Sequence, residues 1–188
     1  SWYLALSRRW QVIRYDGRGG GMSDRKSVHS SVQNVAPDIE TVLDAVGVDR
    51  LTILTAWVQA TGAVRFALNQ PGRVERLILW SPLLRGEDLY TESRMSVVPE
   101  LASADLELYL ESAISTVVGS WAPDARLLAD TYRLAFGSRE DLERGRADLR
   151  SMDVAGEVSE LAVPTTIVHR EDSRGVTLAM ATRAASQI

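Results

Sequence analysis

Short β-rich runs alternate with helical segments along the first part of this chain, and this alternation constrains its fold more than any other feature. The strand-like runs are QVIRY (11–15), Leu51 to Leu54 and Leu77 to Trp80. Helical apolar spacing fills the two intervals, around 39–46 and 60–68. Strands separated by helices predict a parallel sheet with right-handed crossovers and with both faces covered. The fold class predicted is therefore α/β.

The segment from 84 to 152 has a different pattern, because its β-rich runs disappear. Apolar residues there fall at helical spacing, as in Leu106, Leu110 and Ile114. Further helical signals are Leu128 with Tyr132, and a capping box at Ser138 and Asp141. A strand then returns at 164–169 and a helix at 177–186. We therefore expect a core formed by 1–83 and 153–188, interrupted by a helical cap insertion at 84–152.

Composition excludes several classes of function. A net charge of -4 argues against direct nucleic-acid binding, which usually needs a basic surface. The chain has no cysteine, so disulfides and thiolate metal sites are excluded. No apolar run is long enough to span a membrane, and the opening residues lack a secretory signal pattern, so a cytoplasmic location is expected. No metal-ligand spacing is found, and we expect neither a metal nor another cofactor.

Four segments together resemble the α/β-hydrolase superfamily. They are RYDGRGGGMSD, DIETVLDAVGVDRLTIL, NQPGRVERLILWSP and DVAGEVSELAVPTTIVHREDS. The likeness covers most of the chain outside the cap. It is greatest to hydrolase-like domains attached to bacterial nucleotide cyclases and helix-turn-helix regulators. The resemblance implies a partial hydrolase-like parallel sheet flanked by helices, with an inserted helical cap and with family strands missing from both ends.

The nucleophile turn of that family is degenerate in this sequence. Residues 55–60 (TAWVQA) fall where the family has G-x-S-x-G-G, which places Trp57 at the position of the serine nucleophile. An indole offers a weak N–H donor and no ionisable nucleophile, so Trp57 cannot form an acyl-enzyme. The flanking glycines normally relieve a strained turn. Their loss predicts that the turn itself has relaxed.

The other members of the family's catalytic triad have weak counterparts. Asp172 matches the acid, with Glu171 as an alternative, and no histidine occupies the position of the base. His29 and His169 are interpreted as structural. Asp16, in the glycine-rich turn, is expected to hydrogen-bond nearby backbone instead of taking part in catalysis.

The resulting hypothesis is a non-catalytic, hydrolase-like module that binds a small apolar ligand or contacts a fused or partner regulatory domain. Ligands of such folds bind at the carboxyl ends of the strands, so the expected cleft residues are Trp57, Val58, Ser81, Pro82 and Asp172. Trp57 would be either an aromatic platform for the ligand or a plug in the emptied pocket. Two alternatives stay open: a hydrolase of esters or related carbonyl compounds with an unconventional or externally completed site, and a truncated, inactive fragment.

Overall fold

A three-stranded parallel sheet lies at the centre of the computed structural model, which describes residues 2–18, 22–24, 32–97, 105–118, 130 and 139–188. Its strands are β1 (Leu51–Ala56), β2 (Val74–Trp80) and β3 (Thr165–Val168), in the order β1-β2-β3. The register pairs Ala56 with Trp80 and Trp80 with Val168. All three strands therefore end at the same edge of the sheet.

The described helices include those predicted around 39–46, 60–68 and 177–186, together with a short first helix that the sequence analysis did not predict. They are α1 (Trp2–Leu6), α2 (Val35–Val46), α3 (Gln59–Asn69), α4 (Gly86–Thr91), α5 (Leu106–Val118), α6 (Arg139–Ser151) and α7 (Leu178–Gln187). Short 3-10 turns lie at Val32–Asn34, Pro71–Arg73, Arg94–Val97 and Val158–Glu160. Helix α2 ends as predicted at Gly47, whose φ of 67° suits a residue without Cβ. None of the described helices is long and apolar enough to cross a membrane.

One face of the sheet carries the main hydrophobic core. Ile53, Leu77 and Leu79 are buried there, and α2 and α3 contribute Leu43 and Phe66 to the same cluster. Burial of each such side chain contributes about 1.5–3 kcal/mol to folding. The strand-helix pairing predicted from the sequence is therefore confirmed on this face.

The opposite face is more open than the sequence predicts. Leu54, Trp80 and Val168 are exposed by 45%, 47% and 44%, and the strand register places Leu54 one pleat from the adjacent pair Trp80 and Val168. Coverage of both faces, inferred from the apolar strand runs, is wrong for this part of the sheet. Apolar residues in a strand show that its faces are suited to burial. They do not show that another part of the chain covers both faces.

The strand predicted at 11–15 is also wrong, because these residues form no ladder in the structure. A strand requires a neighbour that accepts and donates its backbone hydrogen bonds, and the described sheet consists of β1, β2 and β3 alone. Ile13 nevertheless packs against the main core. The apolar character of the run therefore reflects burial of one side chain and not strand pairing.

The ends of the predicted cap lie beside each other. Arg85 and Asp153 form an isolated antiparallel bridge, and the Val154 N–H donates to the Leu84 carbonyl at 2.9 Å. Helices α4, α5 and α6 lie between these ends, in agreement with the helical pattern of 84–152. This arrangement is the one an insertion requires, although the division into 1–83, 84–152 and 153–188 stays a prediction. The helical signals at Leu128, Tyr132 and Ser138 lie outside the described residues.

A buried carboxylate connects the start of this helical segment to α7. Asp88 is 8% exposed, and Arg183 Nη2 lies 2.7 Å from its Oδ2 while Arg183 Nη1 lies 3.0 Å from Glu92 Oε2. The pKa of Arg183 is raised, chiefly by the hydrogen bond to Glu92. Because Asp88 has little access to water, this pairing compensates for its lost hydration.

Candidate functional site

The turn between β1 and α3 holds Trp57 in a left-handed backbone conformation. Its φ is 55°, a region that large side chains rarely occupy. The Trp57 N–H donates to the Trp80 carbonyl at 3.1 Å, and the Trp57 carbonyl accepts from the Leu83 N–H at 3.2 Å. The expectation that this turn has relaxed is therefore wrong: hydrogen bonds to the chain around β2 hold it in place although both flanking glycines are absent.

Trp57 packs against a second hydrophobic cluster, formed mainly by residues of the helical segment and of α7. The buried members of this cluster include Val58, Leu83, Tyr109 and Met180. Trp57 Nε1 is buried and has no hydrogen-bond partner among the described residues. An unpaired buried donor is costly, so apolar packing must compensate for it. Of the two roles considered for Trp57, this placement favours the plug over an open platform.

Two other cleft candidates are also part of the core. Val58 belongs to the second cluster, and its carbonyl accepts a hydrogen bond from Thr61 Oγ1 at 2.9 Å. Pro82 is fully buried. Val58 and Pro82 both lie near Trp57, but neighbouring side chains bury them, so neither is open to solvent.

Ser81 and His169 form a contact that sequence analysis missed. Ser81 follows β2, His169 follows β3, and Ser81 Oγ lies 3.1 Å from His169 Nδ1. The pKa of His169 is lowered, first by burial and then by the nearby positive charge of Arg170. The sequence shows only that a serine follows one predicted strand and a histidine lies at the end of another. Their pairing requires knowledge that β2 and β3 are neighbours.

Asp172, the acid candidate, lies on the surface. Its side chain is 68% exposed, and Oδ1 lies 2.5 Å from Arg170 Nε. The carboxylate is therefore placed for an ion pair with arginine. Asp16 behaves as predicted, since its carboxylate accepts the Met22 N–H at 3.0 Å. His29 lies outside the described residues.

A cavity of about 600 Å³ opens near Asp172. The cavity is open to solvent, and the described residues that line it have polar or charged side chains of both signs: Glu92, Ser93, Arg94, Glu171, Asp172, Ser173, Arg174 and Thr177. Of the five cleft candidates, only Asp172 is among these lining residues. Within the described part of the chain, no group of three or more His, Asp or Glu side chains could hold a metal ion.

Comparison with known proteins finds hydrolases. No family model matches the chain. It is 34% identical over 82 residues to the putative carbamate hydrolase RutD of Caulobacter segnis, a match covering 41% of this chain and 31% of that protein. The chain thus spans about a third of the length of the RutD relatives it matches.

Solved structures give a longer match. A hydrolase from Oleispira antarctica superposes with a TM-score of 0.78 at 16% identity, covering 99% of this chain and 72% of that one. The enol-lactonase from Burkholderia xenovorans superposes with a TM-score of 0.73 at 18% identity, covering 98% of this chain and 72% of that one. These likenesses show a shared fold.

Proposed function

We propose that this chain, which has the fold of the α/β-hydrolase superfamily, is a non-catalytic domain that binds a small molecule or a regulatory partner. The observation that carries this proposal is Trp57. It occupies the left-handed turn at the end of β1, where the resemblance to the family expects a serine nucleophile.

The chemistry of this position argues against ordinary serine-hydrolase catalysis. Indole has no ionisable hydroxyl or thiol, and its ring carbons and N–H cannot form an acyl intermediate by the usual route. The side chain also packs against the second hydrophobic cluster and so takes up space that a substrate's acyl group would need. Both effects support binding without turnover.

The open cavity beside Asp172 is the proposed contact region. Arg94 and Arg174 lie in its lining together with Glu92, Glu171 and Asp172. Such a surface suits a ligand or protein segment that carries both polar and charged groups. The apolar ligand expected from sequence would instead need Trp57 to leave its cluster, at the cost of exposing buried side chains.

Turnover and binding must be measured on the same samples. We expect a panel of small esters, lactones and carbamates to show no saturable steady-state hydrolysis, and polar members or their acid products to show saturable binding by calorimetry. Arg174→Ala should weaken that binding, whereas Arg50→Ala, outside the described cavity lining, should leave it unchanged. Saturable hydrolysis that disappears on a single substitution would refute the proposal, and the absence of binding across the panel would refute its small-molecule form.

A further inference from the structure

Ser81 and His169 are held together by the parallel ladder at the carboxyl edge of the sheet. Trp80 and Val168 are register partners, so the residues that follow them emerge side by side. The Ser81 N–H donates to the Val168 carbonyl at 2.7 Å, which extends the ladder by one further hydrogen bond. The two side chains are therefore positioned by backbone pairing, although 88 positions separate them in sequence.

The backbone of Ser81 is strained in a way that matters for its side chain. Its φ is 44°, and among the described residues only Trp57 shares a positive φ without being glycine. Such conformations are strained for residues with a Cβ, and they cluster at functional sites. Ser81 is also partly exposed. Its hydroxyl oxygen lies 3.1 Å from the imidazole.

The imidazole of His169 is a neutral, weak base within hydrogen-bond distance of that hydroxyl. Its Nε2 is buried without a hydrogen-bond partner among the described residues. Burial and the charge of Arg170 lower its pKa, so the ring is neutral at neutral pH. In the tautomer with the proton on Nε2, the Nδ1 lone pair faces Ser81 Oγ.

We propose that Ser81 and His169 form a second, reactive site in which Ser81 Oγ accepts an acyl group from an activated ester. Ser81 Oγ attacks the ester carbonyl carbon while His169 Nδ1 takes the hydroxyl proton. The new Oγ–C bond forms, the bond from carbon to the leaving oxygen breaks, and the electron pair departs with that oxygen. The proton on His169 then passes to solvent, leaving acyl-Ser81 and a phenolate.

The surroundings restrict this site to activated esters and to a single acylation. In efficient triads a carboxylate accepts the second N–H of the base and stabilises the imidazolium. Here Nε2 has no such acceptor among the described residues, and the Asp172 carboxylate is paired with Arg170. A phenolic leaving group departs without protonation and so tolerates a weak base. Hydrolysis of the acyl-serine has no comparable help, so the acyl group should persist.

The test uses the intact chain with p-nitrophenyl acetate. We expect a burst of about one nitrophenolate per chain and an acetyl group that peptide mass spectrometry places on Ser81. Ser81→Ala should abolish the burst, and His169→Gln should slow it at least tenfold. Ser186→Ala, an exposed serine on α7, is the matched control and should leave it unchanged. Circular dichroism of each variant separates loss of reactivity from loss of fold.

A second variant tests the pair without depending on acylation. The chain has no cysteine, so Ser81→Cys introduces a unique thiol. We expect iodoacetamide to alkylate it with a pH profile shifted to lower pH, and His169→Gln in the same background to remove that shift. No acetyl group on Ser81, or acetylation at a rate independent of His169, would overturn the inference. Saturable turnover lost in Ser81→Ala would contradict both the single acylation inferred here and the proposed non-catalytic function.

Discussion

Substitution of Trp57 by glycine or alanine tests directly whether the turn is strained. Both variants lose the same indole packing, which costs up to about 3–5 kcal/mol for a fully buried aromatic and less here because Trp57 is only partly buried. They differ in the cost of a φ of 55°. Alanine keeps the left-handed penalty of about 1–2 kcal/mol, whereas glycine does not. The glycine variant instead loses about 0.5–1 kcal/mol of folding free energy, because glycine makes the unfolded chain more flexible.

The balance predicts that Trp57→Gly is more stable than Trp57→Ala by up to about 1.5 kcal/mol, with a central value of about 0.75 kcal/mol, or a few degrees in Tm. Urea and thermal unfolding, followed by circular dichroism, measure this difference. Val58 supplies the control pair, because its φ of -66° is ordinary. At that position Val58→Ala should be more stable than Val58→Gly, by about 0.5–1 kcal/mol. Equal or greater stability of Trp57→Ala would show that the turn is not held in the left-handed region.

Three further predictions concern packing, the ion pair and pH. A Cβ at Gly86 would lie 1.6 Å from the Leu149 carbonyl oxygen, so Gly86→Ala should lower the free energy of unfolding in urea by about 2 kcal/mol or more. Gly72→Ala is the control, because a Cβ there would meet open space, and it should change this free energy by less than about 0.5 kcal/mol. Arg183→Ala should lower the free energy of unfolding by about 1–2 kcal/mol, because it leaves the buried Asp88 without this partner. Arg65 forms an ion pair of 4.0 Å at the surface, so Arg65→Ala should lower the free energy of unfolding by less than half as much. Burial and the charge of Arg170 lower the pKa of His169 in the folded chain, so the unfolded chain binds the proton first. Stability should therefore fall as pH decreases through about 6.5, by at most about 1.4 kcal/mol per pH unit. The difference in unfolding free energy between the parent and His169→Gln across pH 5–8 isolates this contribution, and a flat difference would contradict it.

The order of strands and helices was predictable because it depends on local apolar spacing. A β-rich run predicted each of the three strands, Leu51–Ala56, Val74–Trp80 and Thr165–Val168. Apolar spacing followed by Gly47 predicted α2. The run at 11–15 shows the limit of such signals. Its composition suits a strand, but a strand exists only where a neighbour pairs with it.

The candidate site was less predictable because its geometry depends on tertiary contacts. Loss of the flanking glycines suggested a relaxed turn, yet hydrogen bonds to Trp80 and Leu83 hold Trp57 at positive φ. The contact between Ser81 and His169 depends on the register of β2 with β3, which the sequence does not encode locally. Asp172 was correctly placed after a strand, but its pairing with Arg170 depends on the conformation of the loop.

Steady-state hydrolysis by the parent chain and by Trp57→Ser tests the central claim most directly. The turn conformation is already present, so a serine at 57 would test what the rest of the site can supply. No described histidine is hydrogen-bonded at this turn, and His169 Nδ1 is engaged by Ser81. We predict no saturable turnover of esters, lactones or carbamates by either protein after any initial burst. Saturable turnover by the parent would contradict the proposal that this domain binds without catalysing, and turnover that appears only in Trp57→Ser would contradict the inference that the rest of the site cannot support a serine nucleophile.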